Sequence, residues 1–181
     1  MEKLSPNANK IAFKWAVIYV ITAIVITYVT EIAKLDPNSP IKYLGYIPLI
    51  AFLFLAQKEY KDQLGGYVDF GSAFSAGFRY SVFAGLMFAV FLYLYLTVLS
   101  PEVFAKSIDS QRDAMAAKGL SSEQVDKGID IAKKYGAAIG AVVVVIFYLI
   151  IGVIFGLIGA AIFKRERTGF DPEPEATEPT V

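Results

Sequence analysis

Residues 137–163 read AAIGAVVVVIFYLIIGVIFGLIGAAIF and contain no charged side chain. A helix of this length measures roughly 40 Å, whereas the hydrocarbon core of a bilayer is about 30 Å thick. A helix on the surface of a soluble protein turns one face to water, so it is not apolar on every side over such a length. The stretch therefore predicts a transmembrane helix.

Three further apolar stretches predict that the chain crosses the membrane four times. We expect the spans at about residues 11–33, 41–57, 73–99 and 137–163. The second span is the shortest, because its uncharged apolar stretch is residues 43–56, which is roughly 21 Å of helix. A re-entrant or interfacial segment is the alternative for it. The predicted fold class is all-α: a polytopic membrane protein with a single domain over residues 1–167.

The connection between the third and fourth spans predicts an extramembrane helical hairpin over residues 101–135. Ser100 suits the N-cap of its first helix. Gly119 suits the left-handed position that ends this helix, and Ser121 with Gln124 matches a capping box that opens the next one.

Lysine and arginine near the span ends indicate the orientation, because these residues are enriched in short cytoplasmic segments. With four spans both termini lie on one side, together with the connection that carries Lys58 and Lys61. The basic cluster at residues 164–167 adds to this side. We therefore predict a bacterial inner-membrane protein with both termini in the cytoplasm, although Lys133 and Lys134 oppose this orientation.

Composition excludes several classes of site. The chain has no cysteine and no histidine, which removes thiolate nucleophiles, imidazole bases and the usual zinc or haem ligands. Its formal net charge is zero, which gives a nucleic-acid partner no electrostatic support. We expect no enzymatic activity, no catalytic residue, no cofactor and no metal. The acidic, proline-rich residues 168–181 predict a disordered tail.

Small residues recur at every fourth position in the last two spans, a pattern typical of helices whose backbones approach closely. We predict that these two spans pack against each other along the stripes. Self-association through one stripe, giving a homo-oligomer, is the alternative. The stripe in the third span comprises Ala73, Gly77, Ser81, Gly85 and Ala89, and the stripe in the fourth comprises Gly152, Gly156 and Ala160.

The connection over residues 57–79 concentrates charged, glycine and aromatic residues at one membrane face. Its candidate interfacial or lipid-headgroup contacts are Lys58, Lys61, Asp62, Asp69 and Arg79. An ordinary interfacial loop, whose basic residues hold the neighbouring spans in register, is the plainer interpretation. A third interpretation is a membrane enzyme that acts on a headgroup through Asp62 or Asp69 with Lys61 or Arg79.

Three segments of this connection carry a resemblance to a known family. Residues 58–62 read KEYKD, residues 64–67 read LGGY and residues 70–74 read FGSAF. The pattern resembles the central signature of an uncharacterised family of bacterial membrane proteins, domain of unknown function 4199, which is typical of Bacteroidota. The resemblance extends over about residues 10–165. It implies a four-helix membrane protein without an established activity, and a cell-envelope role, since genes of such proteins neighbour those of membrane glycosyltransferases.

The small-residue stripes and the lack of charges at the centres of the spans favour a non-enzymatic role. We expect an accessory or scaffold subunit of a cell-envelope system. Its partners would be the lipid bilayer and either another membrane protein or further copies of the chain. The alternative is a small transporter or channel for a lipid or amphiphile, which requires a cavity between the spans.

Overall fold

The computed structural model describes residues 6–33, 43 and 45–166, and these residues are helical apart from short connections. Their α-helices are α1 (Ala8–Ile32), α2 (Tyr46–Gln63), α3 (Phe70–Leu94), α4 (Pro101–Ala117) and α5 (Ser122–Phe163). A π-helix, Tyr95–Leu99, continues α3. The tail predicted at residues 168–181 lies outside the described residues.

Three of these helices are long and apolar enough to cross a membrane: α1, α3 with its π-helical extension, and α5. The helix in the region of the predicted second span, α2, does not meet this description. It has 18 residues, and its last turns carry four charged side chains, Lys58, Glu59, Lys61 and Asp62. It begins only at Tyr46, and residues 41, 42 and 44 of the predicted span fall outside the described residues.

Side chains and a glycine set several of the helix boundaries. The Asn7 side chain caps α1 by accepting from the amides of Asn9 and Lys10, at 3.0 and 3.3 Å. The predicted capping box at the start of α5 is present, since the Ser121 and Gln124 side chains each accept from the other residue's amide. The short connection before it contains Gly119 at φ 77°, a left-handed conformation that favours glycine.

The structure differs from the prediction between the extramembrane hairpin and the fourth span. A single helix of 42 residues, α5, replaces the second hairpin helix and the separate span that starts near residue 137. Neither Gly136 nor Gly140 interrupts it, because a glycine inside a helix costs only about 1 kcal/mol relative to alanine. At 1.5 Å per residue α5 is roughly 63 Å long.

The bundle is built around α3, which contacts α1, α2 and α5, and its most extensive packing is with α5. The core contains small, aliphatic and aromatic side chains from these four helices, including Ala16, Leu53, Tyr80, Ala84 and Tyr148. Alanine at two of these positions lets the helices approach closely while the aromatic rings fill the remaining space.

Outside this core, α4 packs against the first part of α5. Ile108 of α4 forms a buried cluster with Val125 and Ile129 of α5. The Met115 side chain lies against Gly128, and Phe104 lies against Gly136. The order of these contacts shows that the two segments run antiparallel.

Candidate functional site

The small-residue stripes lie where α3 and α5 meet. A Cβ atom added at Gly152 would lie 2.5 Å from Ser81 Cβ, and one added at Gly85 would lie 2.9 Å from Tyr148 Cβ. The backbones therefore come closer at these positions than a larger residue allows. Every predicted stripe residue is buried, namely Ala73, Gly77, Ser81, Gly85, Ala89, Gly152, Gly156 and Ala160.

A glutamine from α2 enters between the two stripes. Gln57 is fully buried, and its Nε2 atom donates to the carbonyl oxygens of Ala73 at 3.0 Å and Gly156 at 2.9 Å. A Cβ atom at Gly77 would lie 2.7 Å from Nε2, and one at Gly159 would collide with Oε1. The glycines thus make the space that this polar side chain occupies, and the side chain joins α2 to α3 and α5.

The other amide atom of Gln57, Oε1, has no hydrogen-bond partner among the described residues. The amide cannot be turned over to help, because both neighbouring groups are carbonyls, which accept only from Nε2. The sequence places Gln57 at the boundary between the predicted second span and the polar connection, and it does not identify the residue as a buried contact. The available signal is its spacing of four from Leu53 and eight from Leu49, which continues the buried face of α2.

The five candidate headgroup residues do not converge on one site. Arg79 Nη1 donates to Asn9 Oδ1 at 3.0 Å, which ties the third turn of α3 to the start of α1. Lys58 and Asp62 are exposed and Lys61 is half-buried on the last turns of α2. The remaining candidate, Asp69, is the N-cap of α3.

Asp69 acts locally on α3. Its Oδ1 atom accepts from the Ser72 amide at 2.9 Å. The Ser72 hydroxyl and the Ser72 amide both favour the charged carboxylate, so they hold the pKa of Asp69 below its usual range. This is the behaviour of a helix cap, and it provides no general acid at neutral pH.

A charged cluster that the sequence does not reveal joins α1 and α2 near Arg79. The Lys14 ammonium group donates to Glu59 Oε1 at 2.6 Å, and the Trp15 indole donates to Glu59 Oε2 at 2.7 Å. Gln63 Nε2 also donates to this carboxylate, at 3.0 Å. We call this part of the bundle the Lys14 end.

The end of α5 is fastened to the connection before α3 by the backbone. Val68 and Arg165 exchange two N–H···O hydrogen bonds, each 2.9 Å long, in an isolated antiparallel bridge. The Arg165 guanidinium lies 4.9 Å from the centre of the Tyr67 ring, which is cation–π geometry. Arg165, in the basic cluster after the last apolar helix, is therefore held by contacts within the chain.

A second polar cluster lies at the opposite end of α1. The Tyr95 hydroxyl donates to Glu31 Oε2 at 2.8 Å, and Ser100 Oγ donates to Glu31 Oε1 at 3.3 Å. Tyr95 opens the π-helix and Ser100 follows it, so this irregular turn brings both groups to the carboxylate. We call this part of the bundle the Glu31 end.

Two tyrosines meet between these ends. The hydroxyl oxygens of Tyr19 in α1 and Tyr148 in α5 are 2.5 Å apart, a hydrogen bond in which either can donate. A cavity of about 300 Å³ lies beside them, between α1, α3, α5 and the first residues of α2. Tyr19 and Tyr148 are 129 positions apart in the chain, so the sequence alone gives no sign that they form a pair.

The described residues contain no group of three or more histidine, cysteine, aspartate or glutamate side chains suited to a metal ion. A family model described as Protein of unknown function (DUF4199) matches residues 14–165 of the chain. No curated protein and no solved structure matches it.

Proposed function

The chain belongs to the DUF4199 family, because the family model matches residues 14–165, which is most of its length. We propose a role for it from the arrangement of its helices. The protein is a four-span inner-membrane protein that serves as a non-enzymatic accessory or scaffold subunit of a cell-envelope system. The observation that carries this proposal is the length of α5, which exceeds what a bilayer needs.

The excess length of α5 supports an extramembrane arm. A helix of 42 residues is roughly 63 Å long, about twice the thickness of the hydrocarbon core. Phe104 lies against Gly136, and Phe104 is only one turn beyond Ser100 at the Glu31 end. Residues 122–136 of α5, with α4 beside them, therefore extend past the membrane-spanning part. We call α4 and residues 122–136 together the arm.

The arm suits a scaffold because it is a rigid continuation of a span. Its inner side is filled by the cluster around Ile129, and its outer side is exposed and charged. The chain's conspicuous polar groups elsewhere, such as Glu59, Asp69 and Arg79, are engaged in helix caps and helix-to-helix contacts. Such contacts support a structural interpretation of these groups over a catalytic one.

Depth in the bundle supports α2 as the fourth span. The ring of Tyr46, at the start of α2, packs against Phe147 with centroids 5.5 Å apart. Phe147 is roughly 24 Å of helix from the end of α5 at Phe163. Near the other end of α2, Glu59 binds Lys14. The helix thus covers most of a core about 30 Å thick. The basic residues at the Lys14 end favour the cytoplasm for that side.

The alternative role, a transporter or channel for an amphiphile, gains some support from the cavity beside Tyr19 and Tyr148. A transport path would also have to continue from the cavity to the Lys14 end. Between the two, the side chains of Ala16, Leu53 and Tyr80 are packed in the core and fully buried. The arrangement thus favours a binding pocket over a continuous path.

Photo-crosslinking in native membranes tests the proposed role. A crosslinking amino acid replaces Ser110, which is exposed on the arm, and in a matched variant it replaces Val90, which is exposed on the apolar part of α3. We expect one discrete protein adduct from position 110 and only lipid adducts from position 90. The scaffold role would be contradicted if both positions gave no protein adduct and the chain was also a monomer in mild detergent.

A further inference from the structure

The cavity beside the tyrosine pair has an aromatic wall and an unused hydrogen-bond donor. Its lining includes the rings of Tyr19, Tyr46, Phe88, Phe147 and Tyr148. Tyr19 and Tyr148 are only 3% and 4% exposed, so bulk water does not solvate their hydroxyl groups.

Counting hydrogens shows that the pair is not satisfied by itself. Two hydroxyl groups carry two hydrogens, and the bond between them uses one. Within the described part of the chain, neither tyrosine has another hydrogen-bond partner. The nearby Thr27 and Thr30 hydroxyls donate to carbonyl oxygens of α1, those of Ala23 and Thr27. One tyrosine hydrogen therefore remains without an acceptor in an apolar setting, where an unmade hydrogen bond is costly.

We propose that this cavity binds a lipophilic molecule through a carbonyl oxygen, which accepts the remaining tyrosine hydrogen. The volume of about 300 Å³ is adequate, since an engineered apolar cavity of about 150 Å³ holds a benzene molecule. The interaction is binding only, and no bond is made or broken. It is independent of the arm and therefore goes beyond the scaffold role.

Depth restricts the source of the carbonyl group. Tyr19 lies roughly 17 Å of helix from Ala8 and roughly 20 Å from Ile32, close to the middle of α1. A carbonyl carried on a ring with an apolar tail, as in an isoprenoid quinone, can reach this depth. The ester carbonyl of an acylglycerol is the second source. This group lies near the headgroups, so it would have to move deeper into the bilayer to reach Tyr19. The aromatic wall favours the flat ring.

The single tryptophan provides the measurement. Trp15 lies one helical turn before Tyr19, and a bound quinone quenches indole fluorescence. The full chain in phosphatidylcholine nanodiscs is titrated with a benzoquinone that bears a decyl chain. Decylbenzene, which lacks the carbonyl groups, and dioctanoylglycerol are added as competitors. We expect saturable quenching that decylbenzene reverses only weakly.

Phenylalanine variants separate the hydrogen bond from the apolar contacts. Tyr19→Phe and Tyr148→Phe each leave one hydroxyl group with a free hydrogen, so each should bind the quinone within about twofold of the parent. The double variant has no donor and should bind about fivefold more weakly. The affinity of decylbenzene itself should be the same for the parent and the double variant, because it makes no hydrogen bond, so it should displace the quinone more readily from the double variant.

Blocking the cavity gives an independent readout. Ala23 lines the cavity and is buried, so Ala23→Leu should abolish saturable quenching. Ala51→Leu, at an exposed position of α2, is the matched control and should bind normally. If dioctanoylglycerol displaces the quinone from the parent but not from the double phenylalanine variant, the site binds an acyl carbonyl.

Non-saturable quenching in every variant, or equal quinone affinity in the parent and the double variant, would overturn the proposal. The phenylalanine variants keep this test valid if Ala23→Leu fails to fold, because they remove one oxygen each and preserve the ring packing.

Discussion

At the scale of the residue, the structure depends on one buried amide. Gln57 donates to carbonyl groups of two different helices, and Gly77 and Gly159 provide the space for it. A polar side chain in an apolar bundle is stable only when it finds such partners. Gln57 therefore selects one arrangement of α2 against α3 and α5.

Gln57→Ala should destabilise the folded chain by about 2–3 kcal/mol, since it removes two hydrogen bonds and leaves a cavity. Unfolding titrations in mixed micelles of a mild and a denaturing detergent measure the difference. Gln63→Ala in the same helix is the matched control, because Gln63 is exposed and its side chain hydrogen-bonds to Glu59 within the same helix. Equal stability losses in the two variants would show that burial of Gln57 is not important.

Two glycines of α5 should respond in opposite directions to the same substitution. In Gly159→Ala the new methyl group collides with the Gln57 side chain and lies 2.9 Å from Phe54 Cδ1, so α2 must move. Gly140 has nothing within 4 Å, so Gly140→Ala should stabilise the helix by about 0.5–1 kcal/mol. The same detergent titration measures both, and a stabilised Gly159→Ala variant would refute the close approach.

At the scale of the element, helix ends are decided by short-range chemistry and helix lengths by long-range packing. Sequence reasoning identifies the capping box of α5 because Ser121 and Gln124 are neighbours along the chain. It does not identify the continuity of α5 through Gly136, since the packing of Phe104 on that glycine depends on residues far apart in sequence. It likewise misses the π-helix that begins at Tyr95.

The cap of α3 should make stability depend on pH. Because the pKa of Asp69 is lowered in the folded chain, its stabilising contribution is complete above the pKa of the unfolded state, near 3.8. The contribution is lost as the pH falls through the lower folded value. Asp69→Asn keeps a capping side chain that does not titrate. The free energies of unfolding of the parent and of this variant are compared from pH 6 to pH 3. As the pH falls, the parent should lose more stability than the variant. A difference that stays constant over this range would contradict the role of Asp69 as a charged cap.

The arm should depend on its apolar cluster and not on its surface charges. Ile129 is completely buried between α4 and α5, so Ile129→Ala should cost about 2–4 kcal/mol of arm stability. Arg112 pairs with Asp126 at 3.0 Å, but both side chains are about half exposed, so Arg112→Ala should cost less than about 1 kcal/mol. Hydrogen exchange of the α4 amides provides the readout for both variants, and equal effects would argue against the packed arm.

At the scale of the whole molecule, apolar length is the strongest information in the sequence. The apolar stretches near residues 11–33, 73–99 and 137–163 predict three helices long enough to cross a membrane, and the structure contains them as Ala8–Ile32, Phe70–Leu99 and Ser122–Phe163. The polar contacts between helices are not predictable in the same way. Lys14 meets Glu59 across 45 positions of the chain, and only the three-dimensional arrangement of α1 and α2 brings them together.

The absence of cysteine makes the topology directly measurable, since each introduced cysteine is the only thiol. Gln63→Cys is exposed at the Lys14 end, Ser110→Cys is exposed on the arm, and Gly45→Cys marks the start of α2. If α2 is a full span, a membrane-impermeant maleimide should label positions 45 and 110 from the same side and position 63 from the other. Inverted vesicles should show position 63 to be cytoplasmic. Labelling of position 45 together with position 63 would make α2 a re-entrant segment, and labelling of position 63 from outside would reverse the proposed orientation.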